Sequence, residues 1–572
     1  MDRHEFFERN LLALSPHNPN LCSRLSGAET TLDRYRFPES RSGEIVPALV
    51  DHSGTAHPLH SMIEPQREAE RLVSTLKDEG FLVFLGLGGG FAPEAALNRA
   101  EVSHVLIIDY DINSIAELFC SREYIKIIGD PRCSLLIDPA PELIEACILE
   151  QYQPALCGGI RTFPLRVRAE LDIPRFNAAA AAIQRGIEKV SSDYSVQAHF
   201  GSRWFSNIIR NIKAAEAQNS SAPPIREAAI CAAGPSLDQQ IPLLAELKQQ
   251  SKSEQKVFII SADTALPALL HQGLEPDAVV SIDCQHISYY HFLGLDCRKI
   301  PLFLDIASPP LLSALSASPF FFTGGHPLAQ YISRHWRPLP CIDTSGGNVT
   351  YACLSLAENL GAQRIRVYGA DFSYPRGHVY AKGTYIFPFF EKKQNRFSPM
   401  AALFSTFLFR TPFLPPEENQ AEQEVSEQRY YETTALRFYR RSFEEKASRI
   451  DAEIIPIPGM GAPVHIERKS HTGHARQLRI FAAGRAQMGS DEFLEQYRQA
   501  IAALPIPGID SGAYIQRLNT EQRQVFTTLL PLAAALKKRQ SGLTTGELIE
   551  EVKHHCIHEI DRVLGQDMPD RY

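Results

Sequence analysis

Three apolar runs between Ala228 and Gln285 each end in small polar residues. Ala228–Ala232 passes into Ala233-Gly234-Pro235-Ser236-Leu237-Asp238, Val257–Ser261 into Ala262-Asp263-Thr264, and Ala278–Ile282 into Asp283-Cys284-Gln285. Apolar runs without period-two alternation suit strands covered on both faces. Pro301–Asp305, Phe320–Thr323 and Ile365–Tyr368 repeat the pattern, with helical stretches such as Leu266–His271 and Tyr351–Leu360 between them. The pattern predicts an α/β chain with a largely parallel, doubly wound central sheet. In such sheets the loops at the carboxyl ends of the strands line the ligand crevice.

Residues 1–175 carry a second α/β pattern. Phe81–Leu85 runs into Gly86-Leu87-Gly88-Gly89-Gly90, a helix follows over 92–99, and Val105–Ile108 ends in Asp109-Tyr110-Asp111. A strand, a glycine turn, a helix and an acidic strand end have the form of a nucleotide or adenosyl-cofactor crevice. The spacing is not the full G-x-G-x-x-G, so two readings stand: a cofactor site, or glycines needed for close helix packing. A helical connector over 176–222, with an alanine run at 178–182, ends at Ser220-Ser221-Ala222-Pro223-Pro224. The central domain spans 223–465. Within it the aromatic and proline-rich stretch from Tyr385 to Glu424 reads as a long irregular insertion of the lid or binding-loop kind. Helix is expected to resume near Tyr430 and run to about Ile450, before a last strand near Ile454. Residues 466–572 read as a helical domain without site chemistry.

At 572 residues the chain exceeds one hydrophobic core. A net charge of -8, with basic and acidic residues interspersed, argues against nucleic acid as a partner. The eleven cysteines include no C-x-x-C pair, which points away from zinc and from a disulfide framework. The N-terminus lacks an apolar signal core, and no run reaches the roughly 18 apolar residues of a membrane span. A cytoplasmic protein is expected.

The polar strand ends carry the candidate chemistry. Gly234 allows a tight strand-to-helix turn, Pro235 suits a first helical position, and Ser236 either donates to an anion or simply caps the helix. Asp263 with Thr264, and Asp283 with Gln285, stand where carboxylates face the crevice, to hold ribose hydroxyls or a cation or to cap the next helix. Asp343-Thr344-Ser345-Gly346-Gly347-Asn348 opens a helix and offers a second anion-binding surface. Asp371 follows the strand ending at Tyr368. His378, between Gly377 and Gly383, is a candidate general base or leaving-group stabiliser, or else an exposed loop histidine without a role.

Together these residues resemble the motility accessory factor (Maf) family, flagellin glycosyltransferases carrying the domain of unknown function 115, the 6-hydroxymethylpterin diphosphokinase MptE-like domain. The resemblance rests on Gly234-Pro235-Ser236-Leu237, Asp263-Thr264-Ala265-Leu266, Gly273-Leu274-Glu275-Pro276-Asp277 leading to Val280-Ser281-Ile282-Asp283, Thr344-Ser345-Gly346-Gly347, and Tyr368-Gly369-Ala370-Asp371-Phe372. The motif order is also similar to the bacterial sialyltransferases of glycosyltransferase family 42. The resemblance implies transfer of a nonulosonic acid of the pseudaminic or legionaminic type from a CMP-activated donor to Ser or Thr of flagellin, in support of flagellar assembly and motility. It implies no metal and no other cofactor. Gly234, Pro235 and Ser236 would hold the donor's phosphate, Asp263, Thr264, Asp283 and Asp371 would surround donor and nucleotide, and Thr344, Ser345, Gly346 and Gly347 would line the CMP site.

The sequence departs from the sialyltransferases at the catalytic histidine that precedes the helix expected near Tyr430. Glu427-Gln428-Arg429-Tyr430-Tyr431 stands there instead, so Glu427, Tyr430, Tyr431 or the distant His378 would have to serve as base. Two alternatives follow. One is an ATP-dependent diphosphokinase of the pterin type, with magnesium on Asp263, Asp283 and Asp371; the other is a flagellin-binding factor without turnover.

Overall fold

The computed structural model describes residues 3–30, 33–218, 221–250, 256–414, 430–467, 481–507 and 512–565. The chain forms two compact units, Met1–Ser202 with Ala500–Cys556 and Arg203–Gln499 with Ile557–Tyr572. This division differs from the four segments expected above. The connector is part of one helix that contains the first boundary, and the C-terminal helices divide between the units.

The first unit holds a four-stranded parallel sheet of β1 (Glu79–Leu85), β2 (His104–Asp109), β3 (Cys133–Ile137) and β4 (Gly159–Pro164), in the order β3-β2-β1-β4. β2 is buried along its whole length and β1 beyond Glu79, as their unbroken apolar runs require. Tyr35, Phe119 and Tyr124 pack on one side of this sheet, and Phe81, Tyr152 and Phe176 on the other. After β1 the glycine turn leads into α1 (Phe91–Leu97). The 44-residue helix α2 (Ile173–Glu216) contains the boundary between the units.

The second unit is built on seven parallel strands: β5 (Glu227–Cys231), β6 (Val257–Ala262), β7 (Ala278–Ser281), β8 (Leu302–Asp305), β9 (Pro319–Phe322), β10 (Arg364–Tyr368) and β11 (Glu453–Pro456). Their order is β9-β8-β7-β6-β5-β10-β11. From β5 the chain steps outward to β9, then returns to place β10 and β11 on β5's other side, so the topological switch lies between β5 and β10. Ala228, Ile230, Ile259, Val280, Ile365 and Val367 form the core with Ala352 and Leu356 of α4 (Val349–Asn359). The α3 helix (Leu237–Gln250) follows β5 directly.

The insertion expected to be irregular holds two short helices, α5 (Ile386–Glu391) and α6 (Met400–Leu408). Phe387 and Phe390 meet Phe404 at ring distances of 5.1 and 4.9 Å, so aromatic packing supplies the order that the prolines argued against. Tyr430 does not open a helix either. Tyr430–Tyr431 pairs antiparallel with Tyr374–Pro375, and α7 (Thr434–Arg449) starts later, where Thr433 Oγ1 accepts the Leu436 N–H. All eleven cysteines are free, most are buried, and Cys341 is exposed. Among the described residues no helix is long and apolar enough to cross a membrane.

Candidate functional site

At the switch between β5 and β10 the two strand ends are bound to each other. Asp371 Oδ2 accepts the Ser236 N–H at 2.8 Å, and Asp371 Oδ1 accepts the Gly461 N–H at 3.0 Å and the Ser236 hydroxyl at 2.5 Å. Ser236 Oγ in turn accepts the Met460 N–H at 2.7 Å. A Cβ on Gly234 would stand 2.4 Å from both Asp371 Oδ2 and Gly369 O, which is why only glycine fits the turn. Ser236 is 2% exposed. Its N–H and hydroxyl, expected to face a phosphate, are engaged by a carboxylate of the protein's own. Burial raises the Asp371 carboxyl pKa, and the bonds from Ser236 and Gly461 oppose that rise.

The next strand ends carry the larger polar group. Asp263, after β6, accepts from Ser281 Oγ at 2.7 Å and from the Thr264 N–H and hydroxyl at 2.7 and 3.1 Å. Asp283, after β7, accepts the Gln285 N–H at 2.9 Å. Burial raises its carboxyl pKa and the neighbouring Asp263 raises it further, while Gln285 and His291 pull it back. His291 lies just past the helical turn Ile287–Tyr290, with Nε2 3.4 Å from Thr264 Oγ1 and its ring edge-on to Tyr385 at 4.7 Å. It is 7% exposed.

The Thr344–Gly347 loop reaches the same end of the sheet. A Cβ on Gly324 would meet Thr344 Oγ1 at 2.7 Å and Asp305 Oδ2 at 3.0 Å, which places Thr344 beside the end of β8. Burial pushes the Asp305 carboxyl up to about 6, against the opposing N–H bonds of Ala307 and Gly324. Asp343 organises the loop, accepting from the Ser345 N–H and hydroxyl, the Tyr351 hydroxyl and Lys446. Burial alone would raise its carboxyl; these donors together hold it well below the usual carboxylate range. Tyr439 on α7 approaches Gly347 and stands near enough to Asp283 for its phenol, already raised by burial, to be raised further. The Asp283 end and the glycine loop therefore both lie beside Tyr439, at the carboxyl end of the sheet.

Two asparagines hold the crevice loops from α2. Asn207 Nδ2 donates to Cys284 O and Ala307 O at 3.0 and 2.8 Å, and Asn211 Nδ2 donates to Ile306 O and Ser308 O at 2.8 Å each. Sequence reasoning passed over both. Their signal was a pair of amides at i and i+4 within the apolar face carrying Ile208, Ile209 and Ile212, a placement that requires buried partners.

Of the bases considered from sequence, His378 is exposed in the turn after Tyr374–Pro375, and its electrostatic neighbour is Asp238. Tyr430 lies in the two-stranded pairing opposite Pro375. Glu427 lies outside the described residues. His291 stands at these strand ends, missed because its neighbours Thr264 and Tyr385 are 27 and 94 positions away along the chain. The carboxylates of the diphosphokinase alternative do not converge on one point. Asp371 is held by Ser236 and Gly461, and among the described residues no group of three His, Cys, Asp or Glu could hold a metal ion.

In the first unit the glycine turn is filled by the protein. The Gly89 N–H donates to His60 Nε2 at 2.8 Å, and Cβ atoms on Gly88 and Gly90 would collide at 2.6 Å with Leu165 and Ile127. Burial pushes the His60 imidazole down to about 4, which keeps it neutral and able to accept. Asp109 accepts the Leu87 N–H at 2.8 Å and pairs with buried Arg168 at 3.1 Å. Of the two readings open at Gly86–Gly90, this geometry is that of close packing.

Comparison with known proteins agrees with this architecture. Residues 202–377 match the family described as 6-hydroxymethylpterin diphosphokinase MptE-like. Two uncharacterized proteins of Treponema pallidum (strain Nichols) are 38% and 37% identical over 132 and 114 residues, or 23% and 19% of this chain. These matches span 44% and 51% of the relatives' own lengths, about half. The structure of the Maf glycosyltransferase from Magnetospirillum magneticum AMB-1 is similar over 98% of this chain and 95% of that one, with a TM-score of 0.57 at 14% identity.

Proposed function

We propose that this chain, whose residues 202–377 belong to the MptE-like family and whose fold is shared with a Maf glycosyltransferase, transfers a sugar from a nucleotide-activated donor to a hydroxyl of a polypeptide. The observation that carries the reading is the crevice itself. Asp263 and Asp283, at neighbouring strand ends, border the Thr344–Gly347 loop and the start of α4. A helix N-terminus beside a hydroxyl-bearing loop suits the phosphate of a sugar nucleotide, and buried carboxylates suit hydroxyls of ribose or sugar. The Gly234–Ser236 turn, fixed by Asp371, bounds the donor site as a rigid wall.

The donor assigned is a CMP-activated nonulosonic acid and the acceptor is Ser or Thr of flagellin. Such a donor needs little covalent help. Its transition state resembles an oxocarbenium ion, and the leaving nucleotide departs once its phosphate charge is met by preorganised donors. The acceptor side is supported by the segment from Tyr385 to Leu414, where Phe389, Phe397 and Phe409 are exposed, Phe397 to 92%. Lys393 lies over Phe389 at 4.1 Å and Arg410 over Phe407 at 3.9 Å, an aromatic and basic surface suited to a polypeptide carrying apolar and acidic side chains.

Intact-mass measurement of flagellin from cells with and without this chain tests the transfer; an unchanged mass would leave the binding-factor and diphosphokinase readings. Calorimetry with CMP and with ATP, each with and without magnesium, tests the donor. Magnesium-dependent ATP binding without CMP binding would favour the diphosphokinase.

A further inference from the structure

We infer that His291 takes the proton from the acceptor hydroxyl; the inference rests on the transfer reading above. The Thr264 hydroxyl has one proton and gives it to Asp263 Oδ1 at 3.1 Å. Asp263 is fixed for that role by Ser281, which donates to its other oxygen at 2.7 Å. The contact of 3.4 Å between Thr264 Oγ1 and His291 Nε2 is therefore made through an oxygen lone pair, with the ring proton on Nε2. The neutral imidazole is left with its basic lone pair on Nδ1. That nitrogen is buried and has no hydrogen-bond partner among the described residues.

A buried acceptor without a donor is destabilising, and native proteins keep few of them. The ring that carries it lies between Asp283 and Tyr385. Asp283 is near enough to His291 for the two groups to interact electrostatically. Tyr385, whose ring meets His291 edge-on at 4.7 Å, immediately precedes α5 and the exposed aromatic segment. A hydroxyl presented from that segment supplies the missing O–H donor.

The step balances without a co-reactant. The acceptor O–H proton passes to His291 Nδ1 as the oxygen forms its bond to the anomeric carbon. The bond from that carbon to the phosphate oxygen breaks, and its electron pair leaves with the nucleoside monophosphate. The imidazolium returns its proton to water.

The full chain, flagellin and a CMP-activated nonulosonic acid make the test, read by intact mass over time. His291→Gln can still reach Thr264 and His291→Asn can place an amide near the Nδ1 position, but neither supplies a base. Both should lose roughly 100-fold or more in kcat, the span typical of a lost general base, with CMP affinity and donor KM held within threefold. Added imidazole should restore part of the rate of His291→Ala. Unchanged kcat in both variants overturns the inference, as does loss of CMP binding in step with activity, because that marks a structural role. Failure of the unsubstituted chain to modify flagellin overturns the transfer reading itself.

Discussion

Ser236 and Asp371, 135 residues apart in sequence, share two hydrogen bonds at the switch point of the seven-stranded sheet: N–H to Oδ2 at 2.8 Å and hydroxyl to Oδ1 at 2.5 Å. The pair joins the turn after β5 to the end of β10, and Gly461 and Met460 tie in the loop after β11. Ser236→Ala should destabilise the second unit by about 1.5–3 kcal/mol, the range for a hydrogen bond to a charged group. Asp371→Asn should cost a similar amount, and the double variant much less than the sum. Gly234→Ala should cost more than either, because its methyl meets both a carboxylate and a backbone carbonyl. Urea unfolding of the four variants is the measurement; additive losses would mean that the pair does not act as one contact.

Asp305 gives a pH signature. Its folded pKa of about 6 lies above the unfolded value of about 3.9, so the folded state holds its proton more tightly. The cost of ionising it in the folded protein is absent below pH 4, grows up to pH 6 and is complete above. Asp305→Asn keeps an oxygen for the Ala307 N–H and avoids that cost. Its stability relative to the unsubstituted chain should therefore rise between pH 4 and 7, by at most about 3 kcal/mol. A difference that stays flat with pH would remove Asp305 as the cause.

Asn207 and Asn211 are predicted to hold the crevice loops rather than to touch substrate. Replacing either by Leu strands two buried carbonyls, at a cost of about 1–3 kcal/mol for each one left unpaired. Hydrogen exchange should quicken in residues 284–286 for Asn207→Leu and in 306–308 for both variants. Unaltered exchange there would show that the loops stand without the amides.

Arg168 pairs with Asp109 where both side chains are nearly fully buried. Arg168→Met should cost the first unit about 3–5 kcal/mol, because it leaves a buried carboxylate unpaired. Arg168→Met with Asp109→Leu should recover much of that loss, as apolar replacements of buried pairs often do. Thermal unfolding of single and double variants decides it.

The central sheet was legible because its strands are buried on both faces. Ala228, Ala229, Ile230 and Cys231 are all fully buried, and such a strand can only be written as an unbroken apolar run. The ends of those runs located Asp263, Asp283 and Asp371 at the carboxyl edge for the same reason. Sequence could not say which of these polar groups were already satisfied. That Ser236 spends its donors on Asp371, and that His60 fills the turn at Gly89, depends on residues brought together from far along the chain. His291 was hidden likewise, since a histidine near two tyrosines is unremarkable until the fold sets it against Thr264 and Tyr385. The helices α5 and α6 were missed because their order comes from contacts among phenylalanines, while the local signal was proline.

Cys341 stands two residues before Asp343 and three before Thr344, and it is the one cysteine of the eleven that is exposed rather than buried or half-buried. Burial drives up the pKa of Cys231, Cys284 and Cys353 and makes them poor nucleophiles. A thiol-directed dye should therefore attach chiefly at Cys341, at the root of the loop assigned to the nucleotide. The unsubstituted chain thus carries a natural position for an optical reporter, on which sugar-nucleotide binding can be titrated before any residue of the crevice is altered.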